Sequence, residues 1–437
     1  MNKYCGYFLE KMLLLAVLAI LTSACSTEDA FEYASEKRAQ KRFEITIEQA
    51  ASRLNGILGN SGTRTVSNFS NVQTISKSAF THGTRSDVTE DGPAIYIFDI
   101  PSGGCAIMSA DSRLEPVYAV LENTKLATDD ILNPTALSKS GADNAPTSYI
   151  AGLLNRAIVN DVNSRGLVID TTILKPNPTQ RFVEWDSTVV VYQKNPILNT
   201  KWSQNEPFNN NYPMVGDERK SAGCGVIAAA QIIYKNRTPN SLKGQVFDWD
   251  LIEEYEMFHW FPSENATIEV ANFIYAVAQS LGVDFNNNQY LTSVTIPNLA
   301  NLFSSNNYKE VTIEPYSYYT VHSMLASDLP PYVLGSTESA VGHAWVIDGI
   351  NNYRVEHWCR EGVLMPSGLY DYVEYMQYSN SYCLVHCNFG WGGLCDGYYA
   401  DGIFDTTSGP IDTEIGDIDN ETIYNFNQNL MTISYSL

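Results

Sequence analysis

The first third of the chain alternates a helical hydrophobic pattern with strand patterns. Thr46 is predicted to cap a helix, because Gln49 stands three residues later as its capping-box partner. Apolar residues then recur at helical spacing, at Ile47, Ala50, Ala51, Leu54, Ile57 and Leu58. Farther on, turn residues at 101–104 separate the apolar runs 94–100 and 105–109, which predicts a strand, a turn and a strand. The pattern indicates a small α+β unit.

The part of the chain before residue 195 also contains a second predicted helix and two segments interpreted as irregular. The helix is expected over 148–160. Residues 60–91, rich in Ser, Thr, Asn and Gly, are predicted to form a loop. Residues 175–194 carry Pro176 and Pro178 and are interpreted as an exposed linker, and hence as a processing region. The unit has no cluster of catalytic residue types, so we expect a folding, binding or inhibitory module.

The second half of the chain begins with helical patterns and ends with strand patterns. The run 226–234 is apolar on nearly every face and predicts a helix buried all round, with Cys224 on its first turn and Pro239 beyond its end. Residues 353–378 are rich in aromatic residues and are interpreted as an excursion from the sheet. Further helices are expected at 270–281 and 296–303, and strands at 331–335, 342–349, 382–388, 398–399 and 430–435.

An export signal is predicted over residues 1–25. Lys3 and Lys11 precede an apolar run of ten residues, which is too short for a membrane span of about 20. Small residues then lead to Cys25, as at the lipidation site of a bacterial lipoprotein. Cys25 is therefore predicted to be lipidated, and the alternative is cleavage of an ordinary secretory signal.

The whole chain is acidic, and this limits its partners. Its 437 residues include 27 basic and 49 acidic ones, for a formal net charge of −22. Such a charge argues against nucleic acid and against electrostatic binding to an anionic membrane. We therefore expect no nucleic-acid partner, and attachment to a membrane only through a lipid at Cys25. The length predicts two or three domains.

The chain has eight cysteines, and their predicted roles limit the disulfides that can form within it. Cys5 belongs to the predicted signal, Cys25 to the predicted anchor and Cys224 to the predicted chemistry. Five cysteines remain, an odd number that cannot pair completely within the chain: Cys105, Cys359, Cys383, Cys387 and Cys395. A disulfide between Cys359 and Cys383 is kept open, because export permits disulfides.

A metal site is an alternative interpretation of three of these cysteines and a nearby histidine. Cys383, His386, Cys387 and Cys395 superficially resemble metal ligands. Strand alternation puts Cys383 and Cys387 on one face, however, and His386 with Asn388 on the other. We therefore expect no metal here and no cofactor.

Cys224 is a candidate nucleophile. N–H groups and the helix dipole at a helix start would stabilise a thiolate and lower the pKa of its thiol, although Cys224 could also be a small buried hydrophobe. Thiolate attack on a carbonyl also needs a base, a group that orients the base and a donor to the oxyanion. Among six histidines, His343 stands between small residues at the start of an apolar strand. Asn388 could accept from its ring N–H, and Gln204 could donate to the oxyanion.

These residues stand in motifs that resemble the streptopain family of papain-like cysteine peptidases. The motifs are Gly223-Cys224 before the alanine-rich helix, Gly342 to Gly349, Asn388 to Gly393, and Trp202-Ser203-Gln204 with Pro207-Phe208-Asn209. Upstream, residues 95–120 are similar to the propeptide of those zymogens. The resemblance covers nearly everything after residue 40.

The resemblance implies an α+β fold with two parts. Residues 26–175 would form a small α+β inhibitory prodomain, and residues 176–437 a papain-like catalytic domain with a helical lobe for the cysteine and an antiparallel β lobe for the histidine and asparagine. It implies an exported or surface-anchored endopeptidase made as a zymogen. Proteins or peptides would be its substrates and its own prodomain an intramolecular inhibitor. We expect the protein at the outer membrane or cell surface or in the periplasm, or released after processing.

The resemblance also assigns roles to residues. These are nucleophile for Cys224, general base and then acid for His343, orienting residue for Asn388, oxyanion donor for Gln204, and a shield of the His–Asn hydrogen bond for Trp391. Phe389 stands where the family usually has Trp, and the interval of 45 residues from His343 to Asn388 is long for the family.

Two other functions stay open at this stage. The same fold could carry out amidase or acyl-transfer chemistry on cell-wall peptides, or the chain could be a surface binding protein with an idle site. Hydrolysis of casein would favour the peptidase, and rapid alkylation of Cys224 would exclude an idle site.

Overall fold

The computed structural model describes residues 43–59, 69, 71–81, 92–101, 103–134, 146–166, 180–258, 261–336, 342–404 and 428–437. The predicted signal peptide, Cys25 and the predicted boundary between 175 and 176 lie outside these residues. No helix within the described ranges is long and apolar enough to cross a membrane.

Helices and strands alternate unevenly along the chain. The helices are α1 (Ile47–Gly59), α2 (Thr128–Leu132), α3 (Pro146–Asp161), α4 (Cys224–Asn236), α5 (Trp249–Met257), α6 (Glu264–Ser280), α7 (Ile296–Ser304) and α8 (Tyr318–Ala326). The strands are β1 (Val72–Ser76), β2 (Pro93–Asp99), β3 (Cys105–Ser109), β4 (Val117–Leu121), β5 (Gln180–Lys194), β6 (Met214–Val215), β7 (Glu218–Arg219), β8 (Ser241–Leu242), β9 (Gln245–Val246), β10 (Lys309–Pro315), β11 (Tyr332–Ser336), β12 (Gly342–Leu364), β13 (Tyr370–Asn388), β14 (Gly397–Ala400) and β15 (Gln428–Ser436).

The first helix begins where its capping residues predict. The backbone N–H of Thr46 donates to Oε1 of Gln49 at 2.8 Å, and the N–H of Gln49 donates to Oγ1 of Thr46 at 3.3 Å. This reciprocal pair satisfies two donors that the start of a helix leaves without an intrahelical partner. The capping box is therefore confirmed, and the buried face of α1 carries Ala50, Leu54 and Ile57.

One antiparallel sheet contains strands from both the N-terminal and the C-terminal parts of the chain. Its strand order is β1-β2-β3-β4-β14-β13-β12-β11-β15-β10, and β5 pairs with β12 beside this path. The N-terminal strands join the C-terminal ones where β4 pairs with β14, with Val120 opposite Tyr398. A Cβ on Gly397 would lie 2.2 Å from the carbonyl oxygen of Val120, so only glycine permits this approach. The N-terminal unit thus extends the sheet that carries His343 and Asn388.

A separate hydrophobic core holds the helical half. Helix α4 is buried along its length, with Val226, Ile227, Ile232 and Ile233 inaccessible to solvent. It packs against α6 on one side and against β12 on the other. The predicted division into a helical half with Cys224 and a strand half with His343 is confirmed, and α4 lies where the two halves meet.

Three segments that were predicted to lie outside the regular strands prove to be partly or wholly strand. The predicted loop 60–91 contains β1 and a 3₁₀ turn, Lys77–Phe80. The predicted linker 175–194 contains β5, which pairs with β12 from Ile350 to Val363. The prolines at 176 and 178 suggested an irregular linker. The valines at 189–191, which favour extended backbone, are instead part of a strand.

The interpretation of residues 353–378 as an excursion from the sheet was also wrong. It is the outer part of a long hairpin of β12 and β13, joined by β5 along one side. We call this unit the three-stranded arm; it comprises β5 and residues 350–364 and 370–385.

The structure bears on the disulfide that was kept open. All six cysteines in the described ranges are free. Cys359 is opposite Tyr375 and Cys383 is opposite Asn352, so the two cysteines lie several rungs apart on the same hairpin. The possibility of a disulfide between them is therefore contradicted by the structure.

Candidate active site

Cys224 is the first residue of α4, as predicted. The residue before it, Gly223, has a φ of 92°, and a Cβ there would lie 2.9 Å from Cβ of Thr292. Glycine is therefore needed to turn the chain into the helix. The backbone N–H groups of Ala344, Gly225 and Cys224 itself lie near the Cys224 sulfur and act to lower the pKa of its thiol. Two of these donors belong to the helix start, and the third reaches across from β12.

The donor from β12 brings the predicted histidine to the thiol. His343 precedes Ala344 in the strand, and its side chain is buried. Its Nε2 lies 3.0 Å from the carbonyl oxygen of Phe389. A carbonyl can only accept, so Nε2 carries the proton, and in a neutral ring the lone pair is left on Nδ1.

Trp391 covers the imidazole. The rings of His343 and Trp391 are 4.3 Å apart and inclined by 28°, and the ring of Phe389 stacks on Trp391 at 5.0 Å. Phe389 thus contributes apolar cover at the position where the resemblance expected a tryptophan. Trp391 lies over the imidazole that it was predicted to shield.

Asn388 occupies a different role from the predicted one. Its Oδ1 accepts from Nε2 of Gln231 at 2.8 Å and from the N–H of Gly390 at 3.2 Å, and its Nδ2 donates to the carbonyl oxygen of Thr200 at 2.8 Å. The expected hydrogen bond from His343 goes instead to the carbonyl of the next residue, Phe389. Asn388 therefore fixes the turn that presents this carbonyl.

Gln231 and Thr200 are site residues that the sequence analysis missed. Gln231 lies on α4 and is inaccessible to solvent. A signal existed, because an amide in an otherwise apolar buried helix needs a hydrogen-bond partner. Nothing in the sequence indicates that the partner is Asn388, 157 residues away.

Gln204 lies beside the start of α4. Its backbone carbonyl accepts from the N–H of Ala222 at 2.8 Å, and its side-chain Oε1 accepts from the hydroxyl of Ser221 at 3.3 Å. With the amide oxygen engaged, Nε2 is the atom that can donate to an oxyanion. The side chain is half-buried, as a group that lines a cleft should be.

A side chain of the N-terminal unit also reaches the site. Tyr149 of α3 has its ring 5.8 Å from Trp391 and 6.4 Å from His343. The helix was predictable from the sequence, but this contact was not. Tyr149 thus joins the apolar cover over the imidazole.

Burial sets the protonation of the thiol and the imidazole. It raises the pKa of Cys224, and the three N–H donors only partly oppose it. It lowers the pKa of His343 to about 4, against the opposing effect of the Phe389 carbonyl. The predicted lowering of the Cys224 pKa is therefore wrong for this form of the chain, because removal of water outweighs the helix start. Near neutral pH both groups are uncharged.

The four residues weighed as metal ligands have other surroundings. Nδ1 of His386 lies 2.5 Å from Oδ1 of Asp348, and Nε2 lies 3.2 Å from Oε1 of Glu122. Cys387 and Cys395 are buried within the hydrophobic core of the sheet.

A cysteine that begins a buried helix, packed on an antiparallel sheet that carries a histidine, is an arrangement typical of papain-like cysteine peptidases. Residues 202–399 match the Peptidase C10 family, the streptopain family. The resemblance stated from the sequence is confirmed, and the protein is a cysteine-type peptidase.

Two solved structures from Prevotella intermedia are similar to the chain. A fragment of prointerpain A with a cysteine-to-alanine substitution is 17% identical, with a TM-score of 0.47, over 83% of this chain and 98% of that one. Active wild-type interpain A is 18% identical, with a TM-score of 0.36, over 60% of this chain and 98% of that one. No curated protein matches the chain.

Proposed function

We propose that this chain is the precursor of an exported cysteine endopeptidase that hydrolyses peptide bonds in proteins. The observation that carries the proposal is the packing of α4 on β12, which places the N–H of Ala344, the residue after His343, near enough to the sulfur of Cys224 to lower the pKa of its thiol. Through it the strand that bears His343 meets the helix that bears the thiol. The match of residues 202–399 to the Peptidase C10 family supports the same chemistry.

The reaction would run in two halves. The proton of Cys224 passes to Nδ1 of His343, and the thiolate attacks the peptide carbonyl carbon, while Nε2 of Gln204 and the N–H of Cys224 hold the oxyanion. The C–N bond breaks as His343 returns its proton to the leaving amine, which leaves a thioester on Cys224. Water then gives its proton to His343, attacks the thioester and releases the acid and the thiol.

We further propose that the N-terminal unit is an inhibitory prodomain. Support comes from Tyr149, which packs against His343 and Trp391, and from the pairing of β4 with β14. The first contact covers the imidazole of His343 and would help to keep it neutral, and the second attaches the N-terminal unit to the sheet that carries His343. Removal of the N-terminal unit would readmit water, and the thiol and imidazole could then form the reactive ion pair.

Export is the remaining part of the proposal. The charged and apolar pattern of residues 1–25 and the small residues before Cys25 support a lipid anchor, and the acidic composition suits an exported protein. The predicted location is the cell surface or outer membrane or the periplasm, with release after processing.

One comparison tests the proposal. The purified wild-type precursor and its Cys224→Ala variant are followed by intact mass and by hydrolysis of casein. We expect the wild type alone to lose about 150 residues, a size consistent with an independent domain, and to gain activity on casein. Hydrolysis of cell-wall peptides without casein would overturn the endopeptidase in favour of an amidase. A wild type that neither changes mass nor reacts with iodoacetamide after removal of its N-terminal unit would indicate an idle site.

A further inference from the structure

Two strands of the three-stranded arm place four chemically active side chains on one face. In the pairing of β5 with β12, Glu184 is directly opposite Cys359, and Asp186 is directly opposite His357. Directly opposite residues share a face of a sheet, and so do residues two apart in one strand. The four side chains therefore form a compact group, which lies outside the active site.

Three of these side chains converge on one point. Oε1 of Glu184 lies 3.8 Å from Nε2 of His357 and 4.0 Å from Sγ of Cys359, and all three atoms lie within 4.8 Å of one another. Within the described ranges, this is the one group of three His, Cys, Asp or Glu side chains close enough to hold a metal ion. Ligand atoms around tetrahedral zinc are about 3.3–3.7 Å apart, by the bond lengths of 2.0–2.3 Å. A small inward movement would complete that geometry.

The histidine is already oriented as a metal ligand. Its Nδ1 lies 2.9 Å from Oδ1 of Asp186, so Nε2 faces the convergence point. Asp186 is held in turn by Arg53 of α1 at 2.9 Å, and the imidazole ring stacks on Tyr378 at 4.8 Å. A carboxylate that fixes the tautomer of a ligating histidine is the usual support of a zinc site.

The charges of the group favour a cation. The thiol of Cys359 is buried, and the carboxylate of Glu184 lies beside it. Arg53 compensates only Asp186. Glu184 is partly exposed, which leaves a path by which an ion can enter.

We propose that Glu184, His357 and Cys359 form a zinc site that fastens β5 to β12. Thiolate sulfur, imidazole nitrogen and one carboxylate oxygen are ligands that suit Zn²⁺, and water would complete the tetrahedron. Binding exchanges one proton for one metal ion, since the Cys359 thiol releases its proton as the sulfur–zinc bond forms. No electron is transferred. Because β5 follows the predicted end of the prodomain, the ion would keep this strand on the sheet when the N-terminal unit is removed.

The test uses Co²⁺ as a spectroscopic substitute for Zn²⁺. The precursor without its predicted signal peptide carries Cys224→Ala to prevent self-cleavage, and it is stripped of metal and kept reduced. We expect a cobalt–thiolate charge-transfer band that saturates at one Co²⁺ per chain and is abolished by added Zn²⁺. We expect Cys359→Ser to remove the band and Asp186→Asn to weaken Co²⁺ binding by about 10-fold to 100-fold.

Matched controls separate the site from other thiols and histidines. Cys383→Ser lies on the same hairpin and His322→Ala on α8, and neither should change the band. Absence of a band in the parent would overturn the proposal, and so would a band that survives Cys359→Ser or disappears in Cys383→Ser. Asp186→Asn retains all three ligands, so its weaker binding remains informative if the serine variant fails to fold.

Discussion

The ring of Tyr149, from the N-terminal unit, lies 6.4 Å from the ring of His343. The contact crosses from α3 to β12 and includes Trp391, which stacks on the imidazole. An aromatic side chain from one part of the chain thus covers the proposed general base of another. The cover excludes water, and this exclusion keeps the pKa of His343 low.

Tyr149→Ala is expected to loosen the cover without removing any proposed catalytic atom. Aromatic contacts contribute about 0.5–1.5 kcal/mol beyond the area they bury, which corresponds to roughly a twofold to tenfold change in the population of an open site. Alkylation of Cys224 in the intact precursor should accelerate by that factor. Tyr149→Phe keeps the ring and should react like the wild type. Equal rates in all three proteins would show that Tyr149 does not cover the site.

The precursor and the processed enzyme are expected to differ in the pH dependence of alkylation. In the precursor the pKa of Cys224 is raised and that of His343 is lowered to about 4, so between these values the thiol is protonated and the imidazole is neutral. Reaction with iodoacetamide should therefore rise only at alkaline pH. Once the N-terminal unit is removed, a thiolate–imidazolium pair should make the reaction fast at pH 6. Identical profiles before and after processing would contradict a role for burial.

Local residue patterns were sufficient to predict much of this architecture. Thr46 and Gln49 cap α1 because both partners lie within one turn, and the position of Cys224 follows from the glycine before it and the apolar run after it. In β5, by contrast, pairing with β12 decides the structure, and its partners are more than 150 residues away. Strand formation there depends on a neighbour that local composition does not reveal.

The elements that carry the proposed site residues were predictable from the sequence, but the hydrogen bonds of these residues were not. Cys224, His343 and Gln204 lie where the motifs suggested, whereas the partner of His343 is a backbone carbonyl. Every residue has a backbone carbonyl, so the sequence does not indicate which one accepts the hydrogen bond. The proposed zinc ligands were missed for a related reason, because Glu184 and Cys359 meet only through the register of two distant strands.

Gln231→Met is expected to lower both stability and turnover. The substitution preserves the shape of the side chain but removes the donor to Oδ1 of Asn388, a buried acceptor. Loss of one partner from such a pair costs about 1–3 kcal/mol. The turn that presents the Phe389 carbonyl to His343 should loosen, so kcat should fall while KM changes little. Gln279→Met, at an exposed position on α6, is the control and should leave thermal unfolding and kcat unchanged. A fall in KM alone would contradict the positioning role.

Glu122 links the N-terminal unit to the sheet through Nε2 of His386, at 3.2 Å, and through Lys201, at 3.7 Å. Burial would raise the pKa of Glu122, but His386 and Lys201 outweigh it and lower the pKa. Burial would likewise lower the pKa of His386, yet Asp348 and Glu122 raise it to about 10. The stabilisation from Glu122 is present above the ordinary carboxyl pKa near 4.5 and is lost as the pH falls below it. The stabilisation from His386 is complete below about pH 6.5 and declines as the pH rises towards 10.

Docking of the N-terminal unit should therefore be strong near pH 6 and weaken as the pH falls below about 4.5. Because Asp348 stays beside His386 after undocking, docking should weaken on the alkaline side only as the pH rises towards 10. Glu122→Gln is expected to reduce the free energy of docking by about 1 kcal/mol at pH 6. The value is modest because the Glu122 carboxylate is about one third exposed. Limited proteolysis of the Cys224→Ala precursor across this pH range measures the effect. Lys125→Met removes the surface pair with Asp99 inside the N-terminal unit and should leave the profile unchanged. A Glu122→Gln profile that matches the parent would show that docking does not depend on this link, and the pH dependence would then have to arise at another contact between the two parts of the chain.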